Sequence, residues 1–295
     1  LMTYDDMGAY ALPTMKKAIL LCLLFLAALP LLANAQYTSA DSAKVVKLLL
    51  EGKQQKDKQN LVLFFARKFL GVPYVASTLE NNADERLVIN LRQLDCTTFV
   101  ENVLTLTLCT QNGKTTFADF CDQLRKIRYR NGKVGYPTRL HYFSEWISDN
   151  ARMGYVEETQ TPNPPFSAVQ TLQINFMSTH VDKYPMLVRT PAFVKPIAQM
   201  ESELCGKTCR YIPKAGILNN AACKQAVKDG NILALVTSRA GLDTSHVGFA
   251  VWKKDGLHLF HASSLQKKVV EDKSLLRNYM KKQKAQLGIR VVKVK

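Results

Sequence analysis

The stretch LRQLDCTTFVENVLTLTLC, residues 91–109, carries Phe99, Val100, Val103, Leu104 and Leu108 at helical spacing. It reads as a largely buried helix. Two starts fit. Asp95 can cap the helix, or Thr98 with Glu101 can form a capping box. In both, Cys96 lies within about one turn of the N-terminus. Partial positive charge there stabilises a thiolate, and such settings lower a cysteine pKa to roughly 3.5–7.5. The backbone N–H groups of that turn can also receive a developing oxyanion, and losing one such donor typically costs about 2.7–4 kcal/mol. Cys96 is therefore the candidate nucleophile. The plainer alternative is a buried core cysteine.

Working outward, residues 43–50 and 60–70 read as helices, and Gly71-Val72-Pro73-Tyr74 ends that pattern. Residues 110–230 read as irregular, with short helices, the clearest over 141–150, and a loop at 161–165. The C-terminal part turns to strands at 232–238, 246–252, 257–263 and 289–295, with Asn, Asp and Gly between them. A helix-rich first half followed by an antiparallel sheet is an α+β arrangement.

Two histidines on those strands can serve the cysteine. In TSHVGFAV, His246 shares a strand face with Gly248 and Ala250, a small face that leaves room beside the imidazole. His261 lies on the next strand. A four-residue loop, 252–255, sets His261 directly opposite His246. Asp255-Gly256 instead favours a later two-residue turn, which pairs His261 with Ala250. A triad therefore needs the longer loop or a bulge, and the sequence does not choose between the registers. His141, His180 and His258 lack such partners, and His180 and His258 read as structural. No His/Glu spacing supports a catalytic zinc, and no glycine-rich loop suits a phosphate.

Met15-Lys16-Lys17, an apolar run of about 15 residues and Ala33-Asn34-Ala35 read as a secretory signal with cleavage before Gln36. The run is short of the roughly 20 residues a spanning helix needs. Residues 1–35 are thus an extension and signal, and 36–295 a single domain, secreted or periplasmic, with no stable membrane span after cleavage. The removed part carries Lys16 and Lys17 against Asp5 and Asp6, so the mature chain keeps the net charge of +16. Such a chain suits an anionic partner. Its lysines are scattered without an aromatic stripe, so a nucleic-acid groove is not indicated. Six cysteines remain, and an oxidising envelope would permit disulfides. Cys205 and Cys209 are close enough in sequence to bridge.

The motifs fall in a telling order: Gly71-Val72-Pro73-Tyr74, Asp95-Cys96-Thr97-Thr98-Phe99, Ser245-His246-Val247-Gly248, Phe260-His261-Ala262-Ser263. This looks like the NlpC-type papain-like cell-wall hydrolases over roughly residues 60–295. GVPYVASTLE (71–80), LDCTTFVENVLTL (94–106), RLHYFSEWISDN (139–150) and GLDTSHVGFAV (241–251) resemble more closely the N-acetylmuramoyl-L-alanine amidase-like family within it. Thr97-Thr98 stands where Ser-Gly is common, and the segment between nucleophile helix and first strand is long. Both departures favour that branch.

The resemblance implies a papain-like fold and cleavage of the amide between N-acetylmuramic acid and the stem peptide's L-alanine. It implies Cys96 as nucleophile, His246 as base and His261 orienting it. Tyr74 would line the site and share the oxyanion with the Cys96 N–H. Arg139, His141, Tyr142 and Ser245 are candidates for gripping substrate, the arginine because its fork suits carboxylates. Peptidoglycan or muropeptide fragments are the implied partners, and no metal or organic cofactor is required. The rivals are an endopeptidase cutting the γ-D-glutamyl–diaminopimelate bond, a non-catalytic peptidoglycan-binding module and, more weakly, an acyltransferase.

Overall fold

In the computed structural model, residues 35–55 and 60–295 are described. The signal expected over residues 1–34 lies outside them. Helices α1 (Ser39–Lys53) and α2 (Leu61–Arg67) precede α3 (Cys96–Gln111), α4 (Phe117–Arg128) and α5 (Phe143–Arg152). Short α6 (Phe176–Thr179) and α7 (Pro185–Arg189) lead to α8 (Val194–Leu204), α9 (Ala221–Ala226) and α10 (Leu276–Lys281). Strands β1 (Ala35–Gln36) and β2 (Leu87–Val88) form a small parallel pair. The main sheet is antiparallel, built from β3 (Val156–Thr159), β4 (Ala168–Thr171), β5 (Thr208–Pro213), β6 (Ile232–Thr237), β7 (Thr244–Lys253), β8 (Gly256–Ser263), β9 (Lys268–Leu275) and β10 (Gln286–Val294). Its order is β4-β5-β10-β6-β7-β8-β9, with β3 also on β10. The architecture is α+β, as expected.

The region 110–230 is more ordered than its sequence suggests. α4 is twelve residues long, with Thr116 and Asp119 closing a capping box at its start. β3, β4 and β5 join the main sheet. Their short, mixed patterns resemble loops in isolation; β3 and β5 become strands by pairing with β10, and β4 by pairing with β5.

α3 is the hub. Asp95 caps it, its Oδ1 accepting from the Thr98 backbone N–H at 2.8 Å, while Thr98 Oγ1 accepts from the Asp95 N–H at 3.0 Å. That settles the helix start at Cys96. Every residue from Thr98 to Thr110 is buried. The Phe99 ring meets Phe69, Phe249 and Phe260 at centroid distances of 6.1, 5.5 and 5.8 Å. The helix thus packs on the face of β7 and β8 that bears Phe249 and Phe260, and its first turn is held at the start of β7.

The β7–β8 register is neither of the two the turn residues suggested. Lys253 pairs with Gly256 around a two-residue turn, Lys254-Asp255, and Phe249 pairs with Phe260. His261 therefore faces Gly248 and lies diagonal to His246. Diagonal neighbours are about 7–8 Å apart, within reach of ring side chains. Gly248 is what permits this. A Cβ there would stand 2.8 Å from the Phe260 carbonyl oxygen and 2.9 Å from His261 Cβ. Gly248→Ala is expected to force β7 from β8 and destabilise the protein by about 1–3 kcal/mol. Urea unfolding of the variant measures this, and wild-type stability would contradict the close approach.

Candidate active site

Cys96 is the first residue of α3, half-buried, at the floor of a cavity of about 200 Å³. As the first residue of the helix, Cys96 has a backbone N–H with no intrahelical acceptor, and the Asp95 cap accepts from Thr98. The cavity is also lined by Leu242 and Asp243 and by Thr244, Ser245, His246 and Val247 at the start of β7. Sulfur and imidazole thus border one space. The backbone of Val247, next to His246, and the backbone and hydroxyl of Thr97 all favour the Cys96 thiolate by hydrogen bonding.

His246 Nε2 lies 2.6 Å from His261 Nδ1, the rings meeting edge to face. His246 is 9% exposed and His261 fully buried, so this contact is shielded from water. Behind it, His261 Nε2 lies 3.5 Å from Asp272 Oδ2 on β9. Tyr279 of α10 packs edge-on to His261 at 5.4 Å and lies 6.4 Å from His246. Asp272 and Tyr279 were not foreseen. KVVEDKSL lacks strand alternation, and α10 is only six residues long, so neither residue carried a local signal.

Burial opposes the helix terminus in setting the charge state. The Cys96 thiol is pushed up to about 12, chiefly by burial and then by the Asp95 carboxylate. His246 is pushed down to about 3 by burial and by His261. The lowered thiol pKa expected from sequence is not found: at neutral pH the pair rests as thiol and neutral imidazole. Tyr74 is raised to about 12 by burial, with Cys96, Asp95 and Tyr279 adding to the rise, which places its phenol near the sulfur.

The remaining expected residues divide. Ser245 is exposed on the cavity wall. His141 lines the cavity, its Nε2 2.8 Å from the Tyr136 carbonyl oxygen, and burial pushes its pKa down to about 3. Nε2–H therefore donates, and Nδ1 is left as an acceptor. Tyr142 also lines the cavity, but its hydroxyl is engaged, donating to Glu201 at 2.6 Å and accepting from the Met177 N–H. Arg139 lies in an adjoining cavity of about 390 Å³ that shares Thr97, Leu140, His141 and Tyr184 with the first. It is 5% exposed and paired with Glu80 and Glu85, so its fork is already committed to carboxylates within the fold. Arg128 and Glu101, in the same adjoining cavity, pair with each other at 2.7 Å. His258 bridges the Asp272 carbonyl and Asp255, and His180 bonds the Phe176 carbonyl.

Cys205 and Cys209 are both thiols, as are Cys96, Cys109, Cys121 and Cys223. Among the described residues no helix is long and apolar enough to cross a membrane, and no three His, Cys, Asp or Glu cluster as metal donors. A shallow groove of about 850 Å³ along α1, lined by Tyr37, Val46, Leu50 and Phe117, contains no cysteine or histidine.

The depressed imidazoles make stability depend on pH. In the unfolded chain His246 and His141 take up protons near their ordinary 6.5, whereas in the fold they resist to about 3. Their contribution is complete above pH 6.5 and is lost as pH falls toward 3. Urea midpoints should drop from pH 7 to pH 4, and His246→Asn should flatten that drop. An identical slope in the variant would contradict a neutral, buried His246.

No match is found among curated proteins. Solved structures are similar. An N-acetylmuramoyl-L-alanine amidase from Bacteroides uniformis is 40% identical, with a TM-score of 0.74 over 81% of this chain and 99% of that one. A Bacteroides fragilis protein named as a candidate xylanase is also 40% identical, with a TM-score of 0.72 over 79% of this chain and 100% of that one. A Legionella pneumophila protein, 21% identical with a TM-score of 0.64 over 86% and 94%, shares the fold. The pattern of the AmiA-like, N-acetylmuramoyl-L-alanine amidase-like family matches residues 64–289, and the chain belongs to that family.

Proposed function

We propose that this protein is a cysteine-dependent N-acetylmuramoyl-L-alanine amidase of the cell envelope, on an NlpC-type papain-like scaffold. The observation that carries the reading is the buried 2.6 Å contact between His246 and His261, with Cys96 bordering the same cavity as His246. The family and its similarly folded Bacteroides uniformis amidase support the choice of bond. The signal-like residues 15–35 support secretion.

In the first half-reaction Cys96 Sγ attacks the lactyl carbonyl carbon while His246 takes the thiol proton. The carbonyl electron pair moves to oxygen, where the Cys96 N–H and the Tyr74 hydroxyl can meet it. Collapse breaks the C–N bond, and His246 returns the proton to the leaving L-alanine nitrogen. In the second half-reaction His246 takes a proton from water, the hydroxide adds, and the C–S bond breaks as His246 returns that proton to the departing Cys96 sulfur, restoring thiol and neutral imidazole. Acid–base help of this kind contributes about 10²–10⁴-fold. Because thiol and imidazole are neutral at rest, the proton moves as substrate arrives. In this reading His141 and Ser245, which line the same cavity as Cys96, hold substrate amides. Polymeric peptidoglycan and its soluble fragments both carry the scissile amide.

Glycoside cleavage, suggested by the name of the Bacteroides fragilis relative, fits less well. That chemistry needs a pair of free carboxyl groups across the bond. Glu80 and Glu101, in the adjoining cavity, are tied to Arg139 and Arg128.

Digestion of purified muropeptides followed by mass spectrometry of the products tests the proposal. Intact stem peptides with a free L-alanine N-terminus are expected. Dipeptide products would point to the γ-D-glutamyl endopeptidase instead, and cut sugars to a glycosidase. Cys96→Ala should lower turnover by about 10⁴-fold or more. A Cys96→Ala protein with full activity would remove the nucleophile assignment.

A further inference from the structure

Two imidazole nitrogens 2.6 Å apart cannot both be bare, nor both protonated, without leaving a repulsive contact. One proton lies between His246 Nε2 and His261 Nδ1, and which ring owns it decides what His246 can do. If His261 Nδ1 owns it, His246 Nε2 is the acceptor and a neutral His246 carries its proton on Nδ1, with no basic nitrogen left. If His246 Nε2 owns it, His246 Nδ1 keeps a free lone pair. His261 Nδ1 must then be bare, and a neutral His261 carries its proton on Nε2.

His261 Nε2 is fully buried and has no partner within normal hydrogen-bond geometry among the described residues. The polar atom it approaches is Asp272 Oδ2, at 3.5 Å. That carboxylate is itself held: Oδ1 accepts from the Ser274 N–H at 2.8 Å, and Oδ2 from Gln266 Nε2 at 3.1 Å. It is 6% exposed, and its pKa is lowered, chiefly by His261. A carboxylate accepts and does not donate. It therefore favours His261 with the proton on Nε2. Contacts of this kind are often long in a free enzyme and tighten as positive charge develops.

We propose that Asp272 is a positioning residue that fixes the tautomer of His261 and, through it, of His246, so that His246 Nδ1 is the base. The relay runs from Cys96 through His246 and His261 to Asp272. No proton has to reach the carboxylate at any step. When His246 holds the thiol proton, its Nε2–H still donates to His261, His261 still donates toward Asp272, and the buried positive charge ends against a negative one. Of the other titratable groups, Tyr279 from α10 packs against both rings, while Cys96, with Tyr74 and the Asp95 carboxylate near it and Asp243 on the shared cavity, lies on the substrate side. The tyrosine phenols, both raised, stay neutral at neutral pH; the Asp95 carboxylate acts on the sulfur, and Asp272 supplies the negative charge behind the imidazoles. The proposal rests on His246 serving as base in the reading above.

Nitrogen NMR of the full-length wild-type protein with labelled histidine reads the tautomers without any variant. Both His246 and His261 are expected to carry their proton on Nε2. A proton on Nδ1 of His261 overturns the proposal, whether or not the protein cuts peptidoglycan. Kinetics give a second reading. An orienting carboxylate bonded directly to its base is worth about 10⁴-fold, so one ring farther away Asp272→Asn should lower kcat by about 10–100-fold. KM should stay within about twofold, and the acid limb of the pH profile should move to lower pH, since the imidazoles lose their counter-charge. Rates are taken per titratable Cys96, which removes any loss of folded protein. In a His261→Asn background the same substitution should cost less than about twofold, because the relay is already cut. An equal cost in both backgrounds, an unmoved acid limb, or a loss confined to KM overturns the proposal.

Discussion

His261 lies opposite Gly248 and not opposite His246, and that offset of one strand pair brings the two imidazoles edge to face. Directly opposed rings would crowd at the Cβ positions, and a further offset would part them. The offset needs a residue without a side chain at position 248, because the Phe260 carbonyl and His261 Cβ fill the space a methyl group would take. It also needs a short turn at Lys254-Asp255 to hold the pairing. From this pairing follow the burial of His261, its approach to Asp272 on the next strand, and the placing of His246 at the mouth of the sheet beside α3.

α3 supplies the other half of the cleft, and its packing is what makes the sulfur's position definite. Phe99 lies one turn from Cys96 and is wedged between Phe249 of β7 and Phe260 of β8. Those two strands carry His246 and His261 on their opposite face. A displacement of the helix would therefore move nucleophile and base relative to each other. The same close packing strips water from the thiol. A helix N-terminus stabilises a thiolate by about 0.3–1 kcal/mol at an exposed site. Burial and the Asp95 carboxylate outweigh it here and hold the thiol near 12. The resting site is thus an uncharged pair, and the capping carboxylate that fixes the helix start also helps to keep it so.

Much of this was legible in the sequence, and the rest was hidden for definite reasons. The apolar periodicity after Asp95-Cys96 gave α3, and strand alternation set His246 on a small face with Gly248 and Ala250. The register itself was not readable: the residues suggested a four-residue loop over 252–255 or a turn at Asp255-Gly256, and the structure turns at Lys254-Asp255 instead. Asp272 was hidden because β9 is an edge strand whose mixed charges show no alternation. Arg139 was a candidate for gripping substrate carboxylates, and the fold commits it elsewhere. Its partners Glu80 and Glu85 are more than 50 residues away in sequence, so its neutralisation belongs to the tertiary fold. Tyr142 likewise owes its role to Glu201, which ties α8 to the start of α5.

The central claim is that Cys96 carries the muramyl group between the two half-reactions. Rapid acid quench of a single turnover on a defined muropeptide, followed by peptide mapping with mass spectrometry, looks for that intermediate directly. The account predicts an adduct on the Cys96 peptide with the mass of the muramyl sugar and its lactyl group and no amino acid. An adduct that includes L-alanine and D-glutamate, or turnover with no adduct on Cys96, would contradict it.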